Sequence, residues 1–210
     1  MAYTFLDLVS TPSVKAAQEA NGSRDYFEVA GKDRSFDRFT PSEAAFIAAR
    51  DSFYMATVSE NGWPYVQHRG GPAGFLQVLD PTTFACADFR GNRQYISVGN
   101  LGAGDRVSLI LMDYPNRSRL KIFAHAEIST DPAILAKVAV PGYRAKVERA
   151  LVFHLEAFDW NCPQHITPRF TMADIEEGIA ALHQRIAVLE TENAALKANT
   201  LSASAHSQGE

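Results

Sequence analysis

Two short segments bring together side chains suited to holding an anion. Gln67-His68-Arg69-Gly70-Gly71 closes one strand-like stretch, and Asp88-Phe89-Arg90-Gly91-Asn92-Arg93-Gln94 bridges another such stretch and a short helix expected at about 93–100. Arginine presents a planar fork of N–H donors that matches phosphate oxygens, glycine lets backbone approach a ligand, and a helix N-terminus offers free N–H groups. These residue types predict a phosphate-binding arrangement. The ordinary alternative is a pair of turns with solvated arginines, and the residues alone leave both open.

Other reactive types are weaker signals. Cys162-x-x-His165 could supply half of a zinc site, but no second CxxC or HxxH accompanies it, so no metal is expected. His68 is the one candidate catalytic residue, a proton donor at a strand end, where histidine also commonly just hydrogen-bonds backbone. Cys86 sits in an apolar strand as an inert buried thiol, and Trp63 and Tyr65 flank a hairpin turn as cross-strand packing. His125 and His154 fall within strand patterns and receive no role.

The elements that must position these groups are legible in order. Residues 1–39 read as a wrapping arm with a short helix starting at Thr11-Pro12-Ser13. Thr40-Pro41-Ser42-Glu43 is a capping box with proline at the first helical position, and predicts a helix ending near Arg50. Ser52–Ser59, the turn dipeptide Asn61-Gly62 and Trp63–Arg69 read as a β-hairpin. Phe75–Leu79, Thr83–Phe89, Arg106–Met112, Leu120–Ile128 and Ala150–Phe158 continue the series between Gly, Pro, Asp and Asn clusters. Six or seven closely spaced strands with one short helical interruption predict an antiparallel barrel and disfavour a Rossmann fold.

The C-terminal part changes period. Thr171-Met172-Ala173-Asp174 is a second capping box, and Ile179, Leu182, Ile186, Leu189, Asn193 and Leu196 follow at steps of 3 and 4, an a/d heptad seam. Residues 171–197 are therefore expected to be a dimerisation helix, the alternative being a helix packed on its own barrel. Residues 198–210, small and polar, are expected to be a disordered tail.

Composition bounds the rest. The chain has 210 residues, 46% hydrophobic and 21% charged, which fits a folded domain with extensions. A net charge of −4 argues against a surface made for nucleic acid. Two cysteines, no long apolar stretch and no signal-like start predict a protein of the reducing cytoplasm with no membrane segment.

The order of hairpin, QHRGG strand, ADFRGNRQ turn, RVSLILMD strand and LKIFAHAEI strand, over roughly residues 40–160 of a domain expected at 40–170, resembles the pyridoxamine 5′-phosphate oxidase-like family of FMN-binding split barrels, in its flavin-nucleotide-binding branch. The resemblance implies a mainly β fold, a six-stranded antiparallel split β-barrel with peripheral helices. It also implies a homodimer with FMN at the interface and oxidoreductase activity on a small redox substrate. It carries cofactor contacts onto Gln67, His68, Arg69, Gly70, Asp88, Phe89, Arg90, Asn92, Arg93, Gln94 and Arg119. Gly91-Asn92-Arg93 stands where the oxidase has Ser-Arg-Lys, and Arg119 where it has a glutamine. Trp160 and Arg169 keep the order of the oxidase's substrate-recognising Trp and Arg, so substrate contact is assigned to them, while the surrounding segment departs from the vitamin B6 pattern. The competing readings are a flavin carrier or sensor without turnover, and a split barrel that binds haem or a deazaflavin.

Overall fold

A computed structural model describes residues 4–30, 36–160 and 162–206. Parts of the expected arm (1–3 and 31–35) and tail (207–210) lie outside the described residues.

Large apolar residues alternate with smaller or polar ones along β1 (Ser52–Val58), so Phe53, Met55 and Thr57 are buried while Tyr54 and Val58 face outward. The turn at Asn61-Gly62, where Gly62 has φ +84°, returns the chain as β2 (Pro64–Gly70). The series continues with β3 (Leu76–Asp80), β4 (Thr83–Phe89), β5 (Arg106–Asp113), β6 (Ser118–Ser129) and β7 (Val147–Trp160). The helices are α1 (Thr4–Val9), α2 (Pro12–Ala20), α3 (Arg24–Ala30), α4 (Pro41–Ala48), α5 (Ile96–Ala103), α6 (Pro132–Lys137) and α7 (Met172–His206). None of the described helices is long and apolar enough to cross a membrane.

All seven strands form one antiparallel sheet in the order β2-β1-β5-β6-β7-β4-β3. This corrects the six-stranded expectation. The Asp80-Pro81-Thr82 turn folds the five-residue β3 back onto β4, so its backbone groups join the same ladder. At the usual spacing of about 4.8 Å, a flat sheet would hold β1 and β7 about 14 Å apart. Phe53 of β1 and Phe153 of β7 instead meet edge to face with ring centroids 6.2 Å apart. The sheet is therefore rolled around one core, whose largest members include Phe53, Phe75, Phe84, Phe153 and Phe158. Each such ring contributes roughly 2–3 kcal/mol by burial.

Within residues 1–166, α4 and α5 close this roll, contributing Phe46, Ile47 and Leu101 to the core. Thr40 and Glu43 form the capping box of α4, and the Glu43 carboxylate also accepts a hydrogen bond from the Trp160 indole at 2.8 Å. Burial pushes the Glu43 pKa up, but these donors prevail and hold it below the usual carboxylate value. Among its described residues the N-terminal arm contains three helices rather than one. Thr11 caps α2 as expected, and α1 lays Phe5 on Phe123 of the sheet's outer face at 4.7 Å. Helix α6 was not foreseen, although Asp131-Pro132 is its start signal, with the Asp131 side chain accepting from the Ala133 amide.

The chain divides into two units, residues 1–166 and 167–210. In the second, Thr171 and Asp174 complete the capping box that opens α7. The helix runs to His206, into the segment expected to be a disordered tail. Its alanines and leucine carry enough helix propensity to extend a helix already nucleated upstream.

Candidate functional site

Strand alternation decides which side chains of β2 can meet a ligand. Tyr65, Gln67 and Arg69 turn inward, whereas Val66 and His68 turn outward. His68 packs edge to face on its cross-strand neighbour Tyr54, with ring centroids 5.4 Å apart. On the inner side, Arg69 crosses the gap between the rolled edges and ion-pairs Asp88 of β4 at 2.7 Å.

Helix α5 is locked beside these strands by two polar bonds. Ser97 donates to Gln67 Oε1 at 2.8 Å, and the Asn100 amide donates to Thr57 Oγ1 at 2.9 Å, with Ser97, Asn100 and Thr57 all buried. The helix begins at Ile96, later than the expected 93, because Arg93 and Tyr95 both take left-handed backbone angles, φ 62° and 53°. A non-glycine residue there costs roughly 1–2 kcal/mol. Tertiary contacts hold it: the Tyr95 hydroxyl lies 3.1 Å from Glu148 Oε2, and the Arg149 guanidinium lies 5.0 Å from the Tyr95 ring centroid.

Between β2, the end of β4 and α5 lies a cavity of about 230 Å³. Six residues singled out from the sequence line it: Gln67, Arg69, Asp88, Phe89, Asn92 and Arg93. Tyr95, Ser97 and Glu148 line it as well and were missed. The charged pair Glu148-Arg149 precedes the apolar run on which the last strand was recognised. Only the β4–β7 register, with Arg149 opposite Asp88, brings it here.

The remaining expected residues fall elsewhere. His68 faces away from the cavity because its neighbours Gln67 and Arg69 face in, so the cavity geometry gives it no catalytic position. A Cβ at Gly70 would come within 3.2 Å of the Asp51 carbonyl oxygen, and one at Gly71 within 2.8 Å of Phe75. Both glycines thus leave room for close packing. Arg90 is bound to Glu148 at 2.6 Å, Gln94 is exposed, and Arg119 projects from β6 on the face opposite its core residues Leu120 and Ile122. Trp160 donates to Glu43 at 2.8 Å and packs edge to face on Phe46 at 4.7 Å, between β7 and α4 and outside the cavity lining. Arg169 belongs to the second unit and is exposed.

Around the cavity stand four guanidinium groups, those of Arg69, Arg90, Arg93 and Arg149, against the two carboxylates of Asp88 and Glu148. Asp88 is shared between Arg69 and Arg149 Nε, the latter at 3.1 Å. Glu148 is pulled down to about 2, first by the Arg90 hydrogen bond and further by Arg149 and Tyr95, against an opposing desolvation effect. Arg93 has no hydrogen-bond or ion-pair partner among the described residues, and Arg69 Nε is buried without a hydrogen-bond partner. Such an orphaned donor is costly unless a ligand satisfies it. Excess positive charge, a free guanidinium and an N-terminus of α5 without a side-chain cap fit a phosphate monoester. Beneath them, burial drives the Cys86 thiol up to about 12, with Arg69 opposing and Asp88 reinforcing, so it stays protonated and unreactive.

The class defined by this fold and site is a mainly β protein whose rolled antiparallel sheet carries an arginine-lined cavity between β2, the end of β4 and α5. Residues 39–160, more than half of the sequence, match the pyridoxamine 5′-phosphate oxidase family, and the chain belongs to it. Among solved structures it is similar to HupZ of Group A Streptococcus, at 16% identity and TM-score 0.49, covering 63% of this chain and 99% of that one. It is also similar to an FMN-binding protein from Syntrophomonas wolfei, at 16% identity and TM-score 0.43, covering 71% and 95%. A third is a Clostridium acetobutylicum protein related to general stress protein 26 of B. subtilis, at 18% identity and TM-score 0.43, covering 64% and 94%. No curated protein matches the chain.

Proposed function

We propose that this protein is an FMN-dependent oxidoreductase acting on a small substrate as a homodimer with its flavin sites at the interface. The observation that carries the reading is the cavity at Arg69 and Arg93, where a free guanidinium and an orphaned buried N–H stand together in a family of flavin-linked oxidases. Arg93 and Arg69 hold the phosphate dianion by charge-assisted hydrogen bonds, and Asn92 adds a neutral donor. Asp88 and Arg149 keep the Arg69 fork in place. FMN held there would supply hydride-transfer chemistry, so the protein's own contribution would be to bind, orient and exclude competing partners. The outward side chains Tyr54, Val58 and Val66 give β1 and β2 an exposed apolar face suited to a second copy.

The test is the absorbance spectrum of the purified protein, with fluorescence of the supernatant after heat release. A yellow protein releasing FMN, one per chain, is expected. A colourless protein that ignores added FMN overturns the reading, and a Soret band would replace it with haem.

One observation favours a flavin carrier without turnover. Among the described residues, no histidine lines the cavity, and both of its carboxylates are ion-paired. Stopped-flow reduction by NADH or NADPH separates the two: turnover requires bound flavin to be reduced and reoxidised faster than free FMN.

A further inference from the structure

Helix α7 spans 35 residues, about 52 Å at 1.5 Å per residue, and belongs to the unit formed by residues 167–210. Counting from Ile179 as an a position, its a residues are Met172, Ile179, Ile186 and Asn193, and its d residues are Ile175, Leu182, Leu189 and Leu196. The stripe is exposed: Leu182 is 61% accessible, Ile186 51% and Leu189 44%. An apolar seam of this length open to water calls for a partner.

The residues of the seam and its flanks choose that partner. Isoleucine at a with leucine at d favours two strands, and a single asparagine at a pairs best with its own copy, fixing a parallel register. The flanking charges agree independently. The g positions hold Arg185 and Glu192, and the e positions five residues further on hold Glu190 and Lys197. In a parallel, in-register pair each g side chain meets the following e side chain of the other copy, so Arg185 meets Glu190 and Glu192 meets Lys197, all of opposite sign. Antiparallel pairing sets a against d, leaves the Asn193 amide facing an apolar side chain, and loses these matches.

We infer that α7 is the recognition element for a second copy of this chain, forming a parallel, in-register two-stranded coiled coil whose register is set by Asn193. The inference stands apart from the flavin reading. A parallel coiled coil has two-fold symmetry about its own axis, so it forms a closed dimer. Any second contact between the same two chains strengthens the pairing through effective concentration.

Disulfide trapping in the full chain tests orientation and register together, because a bridge forms only where Cα atoms approach within roughly 4.4–6.8 Å. In a Cys162→Ser background, which removes the exposed thiol, Asn193→Cys is oxidised mildly and run on a non-reducing gel. A covalent dimer is expected, while Ala195→Cys, at the outward c position, stays monomeric under the same conditions. Adding Glu192→Lys to Asn193→Cys sets lysine against Lys197 and should slow cross-linking severalfold, with Lys197→Glu restoring it. Absence of cross-linking at 193, or equal cross-linking at 195, overturns the proposal, and so does indifference to the charge reversal.

Discussion

Arg93 and Arg69 are both arginines at turns in the sequence, yet their surroundings give them different work. Arg93 is exposed and unpartnered among the described residues, so Arg93→Ala should leave the midpoint of denaturation within about 0.5 kcal/mol of the parent. The same change should weaken FMN binding by about 1.5–3 kcal/mol, tenfold to a hundredfold, measured by fluorescence titration. Arg69 is tied to Asp88, so replacing it would disturb binding and folding together. Glu148 adds a pH signature. Its folded value of about 2 lies below the ordinary 4.5, so its contribution to stability is complete above about pH 4.5 and is lost as pH falls toward 2. Glu148→Gln should therefore cost stability at pH 7, and the gap from the parent should close in denaturant titrations taken progressively below pH 4.5. The cluster of Gln67, Arg69, Asp88, Asn92 and Arg93 was legible from residue type and spacing. Glu148 and Arg149 were not, because their relevance depends on which strand lies beside β4.

At the scale of elements, the strand ends and turns that frame the cavity are set by packing as much as by propensity. Gly71 donates its amide to the Asp51 carbonyl at 2.9 Å and leaves room for the buried Phe75 ring. A methyl at this position meets carbon atoms at 2.8–2.9 Å, so Gly71→Ala should destabilise the protein by roughly 1–3 kcal/mol, read from urea denaturation. Most elements were foreseen within a few residues, because alternation marks strands and capping boxes mark helix starts. The N-terminus of α5 was misplaced, since nothing in Arg93-Gln94-Tyr95 announces two left-handed residues. They exist because Tyr95 reaches Glu148 and Arg149, contacts made across 53 and 54 positions of chain.

For the whole molecule, ligand binding and stability are linked. FMN at a hundredfold excess over its Kd should stabilise the first unit by about 2.7 kcal/mol, a rise of a few degrees in Tm by differential scanning fluorimetry. Riboflavin, which lacks the phosphate, should give a much smaller rise at equal concentration if Arg69 and Arg93 grip that group. The sequence by itself determined the antiparallel β class, the family resemblance, the capped helices and the heptad seam of α7, because each is written in short-range periodicity or in a local motif. The tertiary structure alone decided the pairing order of the seven strands, that Glu148 and Tyr95 join the cavity lining, and that His68 and Trp160 stand outside it. The physical reason is the rolling of the sheet. Strand pairing and curvature bring Arg69 against Asp88 from strands five places apart in the ladder, and they fix which face of β2 looks inward. Non-local geometry of that kind has no signature in the spacing of residues along the chain.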